Sequence, residues 1–137
     1  MQQILERLWL GDFADAEAAH LSPMPKISAI VTLCEAQPQT PLAHFPMAIP
    51  DEMYLPFEIW QAHVALLAQL QESLVTTLVH CRLGVSRSPA LVAAYLAYCG
   101  WMPTPSKALG YVMGRRSVVK VHEETWRGVE DWFIDVI

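Results

Sequence analysis

The chain has 137 residues, 53% of them hydrophobic and 17% charged, with a formal net charge of −5. That length and composition describe one domain with its own hydrophobic core and exclude a disordered chain. The longest nearly uninterrupted apolar run, residues 90–102, contains Gly100 and falls short of the roughly 20 residues a bilayer span needs, and the net acidity argues against general affinity for nucleic acid.

The opening stretch MQQILERLWLGD carries Glu6, Arg7 and Asp12 where a secretory leader needs an apolar run, so a cytoplasmic location without membrane insertion is expected. Asp12 and Asp15 read as helix-start residues. Residues 27–33, ISAIVTL, are β-branched and apolar and predict a buried strand ending near Cys34. Five of the ten prolines follow, at positions 38, 41, 46, 50 and 56. They forbid a helix and predict a long, stiffened excursion of the kind that carries function. Phe57, Trp60, Val64 and Leu67 then form one helical stripe running to about Glu72.

A second strand is expected over Leu74–His80, running directly into Cys81. Ser88 reads as an N-cap and Pro89 as the first helical residue, with Gly100 as the stop, which predicts a buried helix over Pro89–Cys99 with Cys99 in the core. Thr104 and Pro105 repeat the same start signal for a third helix ending near Arg115. A fourth, from near His122, places Trp126, Val129, Phe133 and Val136 on one face. Strands alternating with helices predict an α/β fold, with a central sheet flanked by helices in a single domain spanning residues 1–137.

The charges are sorted along the chain. Residues 1–72 sum to −7, residues 73–122 to +6 with no carboxylate at all, and residues 123–137 to −4. A carboxylate-free stretch suits an anion, since no like charge opposes it. The three cysteines, Cys34, Cys81 and Cys99, are too widely spaced for a metal knuckle or a secreted disulfide framework, and each is judged alone.

His80-Cys81-Arg82-Leu83-Gly84-Val85-Ser86-Arg87-Ser88 joins a strand to a helix N-terminus. The first amides of a helix lack intrahelical acceptors and sit at the positive end of its dipole, so this loop is a cradle for a dianionic phosphoryl group. Arg82, Leu83, Gly84, Val85, Ser86 and Arg87 are its expected phosphate-binding residues. Gly84 allows a positive φ and a close backbone approach. Arg87 supplies a planar fork for two phosphate oxygens. The same surroundings favour the thiolate form of Cys81, an in-line nucleophile that forms a phosphocysteine while the amides and Arg87 hold the developing charge. Ser88 is expected to donate its hydroxyl to the sulfur and make it a better leaving group, and His80 to order the loop from beneath. The chemistry calls for no metal and no cofactor. For Arg82 two readings stand, a substrate contact and a solvent-facing rim residue.

HCRLGVSRS matches the HCxxGxxRS signature of the cysteine-dependent protein tyrosine phosphatase superfamily, and the chain resembles its small dual-specificity phosphatases. On average composition such a match arises by chance in a chain this long about once in 10⁵. Leu8-Trp9-Leu10-Gly11 resembles the family's early LYLG strand and turn, ISAIVTL its second strand, and Arg115-Arg116 its helix-ending arginine. The resemblance implies a mostly parallel central sheet and hydrolysis of phosphate monoesters. The expected substrates are phosphotyrosine and phosphoserine or phosphothreonine in proteins, or a small phosphate monoester, and a monomer is expected.

Expelling an alkoxide or phenoxide requires a proton from a segment able to close over the phosphate. Asp51, in the proline-rich excursion thirty residues ahead of Cys81, is the candidate acid, in the place where the family keeps its own. Glu52 and Glu58 are the alternatives. Cys34 should lie beside the loop if the two strands are parallel neighbours. Thr32-Leu33-Cys34 resembles the context of a resolving cysteine in the related lipid-phosphatase tumour suppressor, which makes Cys34 a redox partner for Cys81 or simply a small core residue.

The larger tyrosine-specific members carry a recognition loop absent here, which implies a shallow cleft, with Met53, Tyr54 and Leu55 either at its rim or in the core. The lipid-phosphatase branch has two lysines in its loop; here only Arg82 accompanies Arg87, although Arg115, Arg116 and Lys120 are available to contact extra phosphates. A phosphoinositide phosphatase and a silent phosphate-docking module are the alternatives. Sulfur transfer would not call for Asp51, and low-molecular-weight phosphatases and arsenate reductases place their loop near the N-terminus.

Overall fold

The computed structural model describes residues 1–137. A five-stranded sheet is built from β1 (Gln2–Leu5), β2 (Leu8–Gly11), β3 (Ala29–Thr32), β4 (Ala43–Pro46) and β5 (Thr77–His80), in the spatial order β1-β2-β5-β3-β4. Only β1 is antiparallel to its neighbour. The three parallel ladders align the strand ends, so that Gly11 and Thr32 both stand opposite His80, and Pro46 stands opposite Thr32. Ligand sites in such sheets form beyond these carboxyl ends. Here those ends deliver the turn after β2, the loop after β5 and the segment after β3 to one edge of the molecule.

Five helices complete the chain: α1 (Phe13–Ala18), α2 (Phe57–Glu72), α3 (Arg87–Tyr98), α4 (Pro105–Arg115) and α5 (Glu123–Val136). Side-chain alternation in the central strands divides the core. Val31 and Val79 join the main core with Trp60, Leu91, Leu96 and Trp132, whereas Ile30 and Leu78 point to a smaller cluster with Ala16 and Ala19. Because β3 and β5 are covered on both faces, every residue of each is buried, the polar Thr32, Thr77 and His80 included. No helix is long and apolar enough to cross a membrane.

Several expectations are corrected. The proline-rich excursion contains β4, an edge strand whose partly exposed residues carry almost no strand signal of their own; pairing with β3 supplies the order, and Pro46 sits at its end, where a missing N–H is tolerated. Leu74 is in a turn at φ +59, so β5 starts at Thr77. Helix α3 starts at Arg87 rather than Pro89: Ser86 is its boundary residue, and Ser88 lies within the first turn. Pro89 is still in that turn, where no intrahelical donor is required. Cys99 is exposed, not core, because α3 ends at Tyr98 and Gly100, at φ +84, turns the chain away.

Candidate active site

The loop between β5 and α3 disposes of its polar groups in a one-sided way. Every carbonyl from Cys81 to Ser86 has a protein donor: His80 Nδ1 for Cys81 (3.0 Å), the Phe13 amide for Arg82 (3.0 Å), Arg116 Nη2 for Leu83 (3.1 Å), Arg116 Nε for Gly84 (2.9 Å), the Lys120 amide for Val85 (2.9 Å) and the Ala90 amide for Ser86 (3.0 Å). The backbone N–H groups from Arg82 through Ser88 have no protein acceptor. With its acceptors consumed and its donors free, the loop is able to receive an anion.

Gly84 is required twice over. Its φ is +67, and a Cβ there would lie 2.6 Å from both the Gly11 carbonyl oxygen and Arg116 Nη2.

The loop lines a cleft of about 80 Å³ together with Asp51; the other walls are Cys81, Arg82, Leu83, Val85, Ser86 and Arg87. That is the volume of roughly two to three waters, small enough to be filled by a phosphoryl group. It adjoins a broader depression of about 540 Å³ that shares Asp51, Leu83, Val85 and Ser86 and adds Glu52, Lys120, Val121, His122 and Glu123.

Cys81 is buried, with Sγ 3.1 Å from Ser88 Oγ. Arg87, 5% exposed, points Nη1 at the carbonyls of Ile49 (3.2 Å) and Leu33 (3.4 Å), and its Nε lies 3.8 Å from Asp51 Oδ1. Asp51 accepts a 3.0 Å hydrogen bond from the amide of Glu52, which adopts φ +57. Of the three carboxylates weighed as the acid, only Asp51 lines the inner cleft; Glu52 lines the outer depression, and Glu58 lies in α2 away from both.

The sequence profile described as "Dual specificity phosphatase, catalytic domain" matches residues 8–134. The chain belongs to the dual-specificity phosphatase family. It is a cysteine-dependent phosphatase. Solved structures of the same fold include human DUSP28, at 21% identity and a TM-score of 0.88 over 99% of this chain and 97% of that one. The human tyrosine phosphatase-like serine/threonine/tyrosine-interacting protein aligns at 23% identity and TM-score 0.85, covering 98% and 96%. PTPMT1 aligns at 16% and 0.81, covering 98% and 94%. No curated protein matches the sequence.

In this dual-specificity phosphatase His80 is fully buried beneath the loop. Its Nδ1–H faces a carbonyl, which can only accept, so in the neutral ring Nε2 is the acceptor. Thr32 Oγ1 (2.7 Å) then donates to it and accepts in turn from His44 Nε2 (2.7 Å). Burial pushes both imidazoles below the ordinary histidine range, in keeping with neutral rings. The chain of hydrogen bonds thus runs from β4 through β3 to the carbonyl of Cys81.

Cys34 is a buried free thiol whose Sγ faces the Ala36 carbonyl at 3.5 Å. Burial pushes it up, Arg87 pulls it down and Cys81 pushes it up, so it lies within electrostatic reach of both. Arg82 is exposed at the cleft wall. None of Met53, Tyr54 and Leu55 lines the cleft: Leu55 is core, Met53 is exposed outside it, and Tyr54 donates its hydroxyl to Asp131 at 2.7 Å on α5.

Sequence reasoning missed the clamp. Arg116, weighed as a contact for extra phosphates, spends its guanidinium on the loop carbonyls and on Gln2 Oε1, and Arg115 Nε is held by the Gln3 carbonyl at 2.9 Å. The His122 amide, 3.0 Å from Ser86 Oγ, extends the clamp. Backbone partners leave no trace in residue type. Thr32, His44 and Glu35 were missed because their partners lie on other strands or in α3.

Proposed function

We propose that the protein hydrolyses phosphotyrosine and phosphoserine or phosphothreonine in proteins through a phosphocysteine intermediate. The observation that carries this reading is the loop of free amides set against Cys81, with Asp51 on the wall of the same cleft. Cys81 Sγ attacks phosphorus in line, the S–P bond forms, and the P–O bond to the leaving group breaks. The amides from Arg82 to Ser88 and the Nε and Nη2 groups of Arg87 hold the three equatorial oxygens. The carboxylic acid of Asp51 gives its proton to the departing oxygen. In the second step the Asp51 carboxylate takes a proton from water, whose oxygen attacks phosphorus; the S–P bond breaks and its electron pair returns to sulfur, where the Ser88 hydroxyl receives it with a hydrogen bond. His80 positions the Cys81 carbonyl and holds no substrate atom.

The choice of protein substrates is supported by the charge around the cleft. Besides Arg87 only Arg82 is cationic on the inner wall, and the outer depression sets Asp51, Glu52 and Glu123 against Lys120. A headgroup with additional phosphates would meet more like charge than opposite charge there. The small cleft and the half-exposed Asp51 suit short seryl as well as tyrosyl esters. A steady-state panel of para-nitrophenyl phosphate, phosphotyrosyl, phosphoseryl and phosphothreonyl peptides and phosphatidylinositol phosphates tests this. Cys81→Ser is expected to abolish turnover, and Asp51→Asn to lower kcat on peptides by about 10²–10⁴. Preference for the lipids would overturn the substrate assignment, and full activity of Cys81→Ser would overturn the mechanism.

A further inference from the structure

We propose that Glu35 is a positioning residue for Arg87, holding its guanidinium by Nη1 so that Nε and Nη2 face the phosphate. This rests on Arg87 being the phosphate-holding arginine. Glu35 directly follows Cys34 beyond the end of β3, and its side chain is 67% exposed while that of Arg87 is 6% exposed. Both carboxylate oxygens reach Nη1, at 3.3 and 3.4 Å. The two other acceptors on Nη1 are the neutral carbonyls of Leu33 and Ile49. Nη2 has no protein partner, and Nε has only Asp51, at 3.8 Å. The guanidinium is therefore anchored at one corner and open along the opposite edge, the edge that a bidentate oxyanion requires.

Two carboxylates thus share one buried cation, and their tasks differ. Asp51 must carry a proton when the leaving group departs, so at that moment it supplies no negative charge. Glu35 is built to keep its own. A hydrogen bond from its own backbone amide is the largest influence on that carboxyl, partial burial opposes it, Arg87 adds a further downward pull, and the net position is below the usual carboxylate range. Glu35 stays charged through the cycle and compensates a buried arginine that would otherwise have only neutral carbonyls on Nη1.

The test compares Glu35→Ala, Glu35→Gln and the parent by calorimetric titration with tungstate, a phosphate-like oxyanion, and by kcat/KM on para-nitrophenyl phosphate. Loss of the contact is expected to weaken tungstate binding and lower kcat/KM together, by about tenfold each in Glu35→Ala. Glu35→Gln retains an acceptor for Nη1 but not the charge, and is expected to fall between Glu35→Ala and the parent. In an Arg87→Lys background, Glu35→Ala should have no further effect on tungstate affinity. Unchanged or tighter tungstate binding in Glu35→Ala would sink the proposal, the latter marking Glu35 as a competing anion. An equal loss in the Arg87→Lys background would sink it too. A parent that binds tungstate without turning over substrate removes the catalytic reading and leaves the Glu35 comparison intact; a parent that binds no tungstate removes both.

Discussion

Substituting Gly84→Ala probes the loop geometry most directly. The new side chain must adopt φ +67, which costs an L-residue about 1–2 kcal/mol. Its Cβ would also stand 2.6 Å from the Gly11 carbonyl oxygen, where ordinary contact begins at 3.4 Å. Arg116 Nη2, at the same distance, is the end of a flexible side chain and can swing aside, but only by releasing the carbonyls of Leu83 and Gly84. The Gly11 carbonyl is backbone at the end of β2, in register with His80, and cannot retreat without disturbing the sheet. Overpacking of this kind costs about 1–3 kcal/mol, which brings the sum to about 2–5 kcal/mol.

That sum must appear either as lost stability or as lost oxyanion binding. The loop is the softer partner, so the larger share is expected in function: a fall in kcat/KM on para-nitrophenyl phosphate of at least about thirtyfold, the equivalent of about 2 kcal/mol, with a parallel loss of tungstate affinity. The melting temperature should fall by several degrees, at roughly 3–6 °C per kcal/mol for a chain of this size. If melting temperature, tungstate affinity and kcat/KM all stay within about 0.5 kcal/mol of the parent, the account of Gly84 is wrong.

Three further outcomes are expected. Ser88→Ala removes the hydroxyl 3.1 Å from Cys81 Sγ and should slow departure of the thiolate more than its attack; a burst of nitrophenol should appear in stopped flow with steady-state turnover reduced by about 10–100-fold, and a linear trace with unchanged kcat would count against it. Burial lowers His80 and His44 in the folded state, so the unfolded chain binds more protons below their ordinary value of 6.5; folding stability should decline as pH falls through that value, less steeply in His44→Gln, as read by urea denaturation from pH 7.5 to 5.0. Hydrogen peroxide should oxidise Cys81 to the sulfenic acid, on which the Cys34 thiol condenses with loss of water to a disulfide; mass spectrometry of peroxide-treated protein should find the Cys34–Cys81 peptide pair, absent in Cys34→Ser, and recovery of Cys81 only as higher acids would remove Cys34 from that role.

Reading the sequence reached the elements whose signal is local. The two central strands announced themselves because both faces are covered, so ISAIVTL and the run into His80 are rich in apolar and β-branched residues. The four longer helices carried periodic stripes or a proline after a capping residue. Helix α3 was found but entered two residues late: Ser88 resembles a cap in isolation, whereas its hydroxyl is turned to Cys81. Strand β4 was missed because an edge strand with exposed residues borrows its order from β3.

The order of HCRLGVSRS along the chain places a sulfur, a turn glycine and an arginine within one loop, because residues so close in sequence cannot be far apart in space, and that alone is the ground for expecting an anion-binding loop. What decided the finer geometry was the register of the sheet. Parallel pairing brings Gly11, Thr32 and His80 level, and the chain continuing past those ends sets Glu35 and Asp51 against the guanidinium of Arg87. The partner of each such group lies tens of residues away on another element. Contacts between main-chain atoms, such as Lys120 on Val85, write nothing into residue type, and they exist only once the tertiary fold has formed.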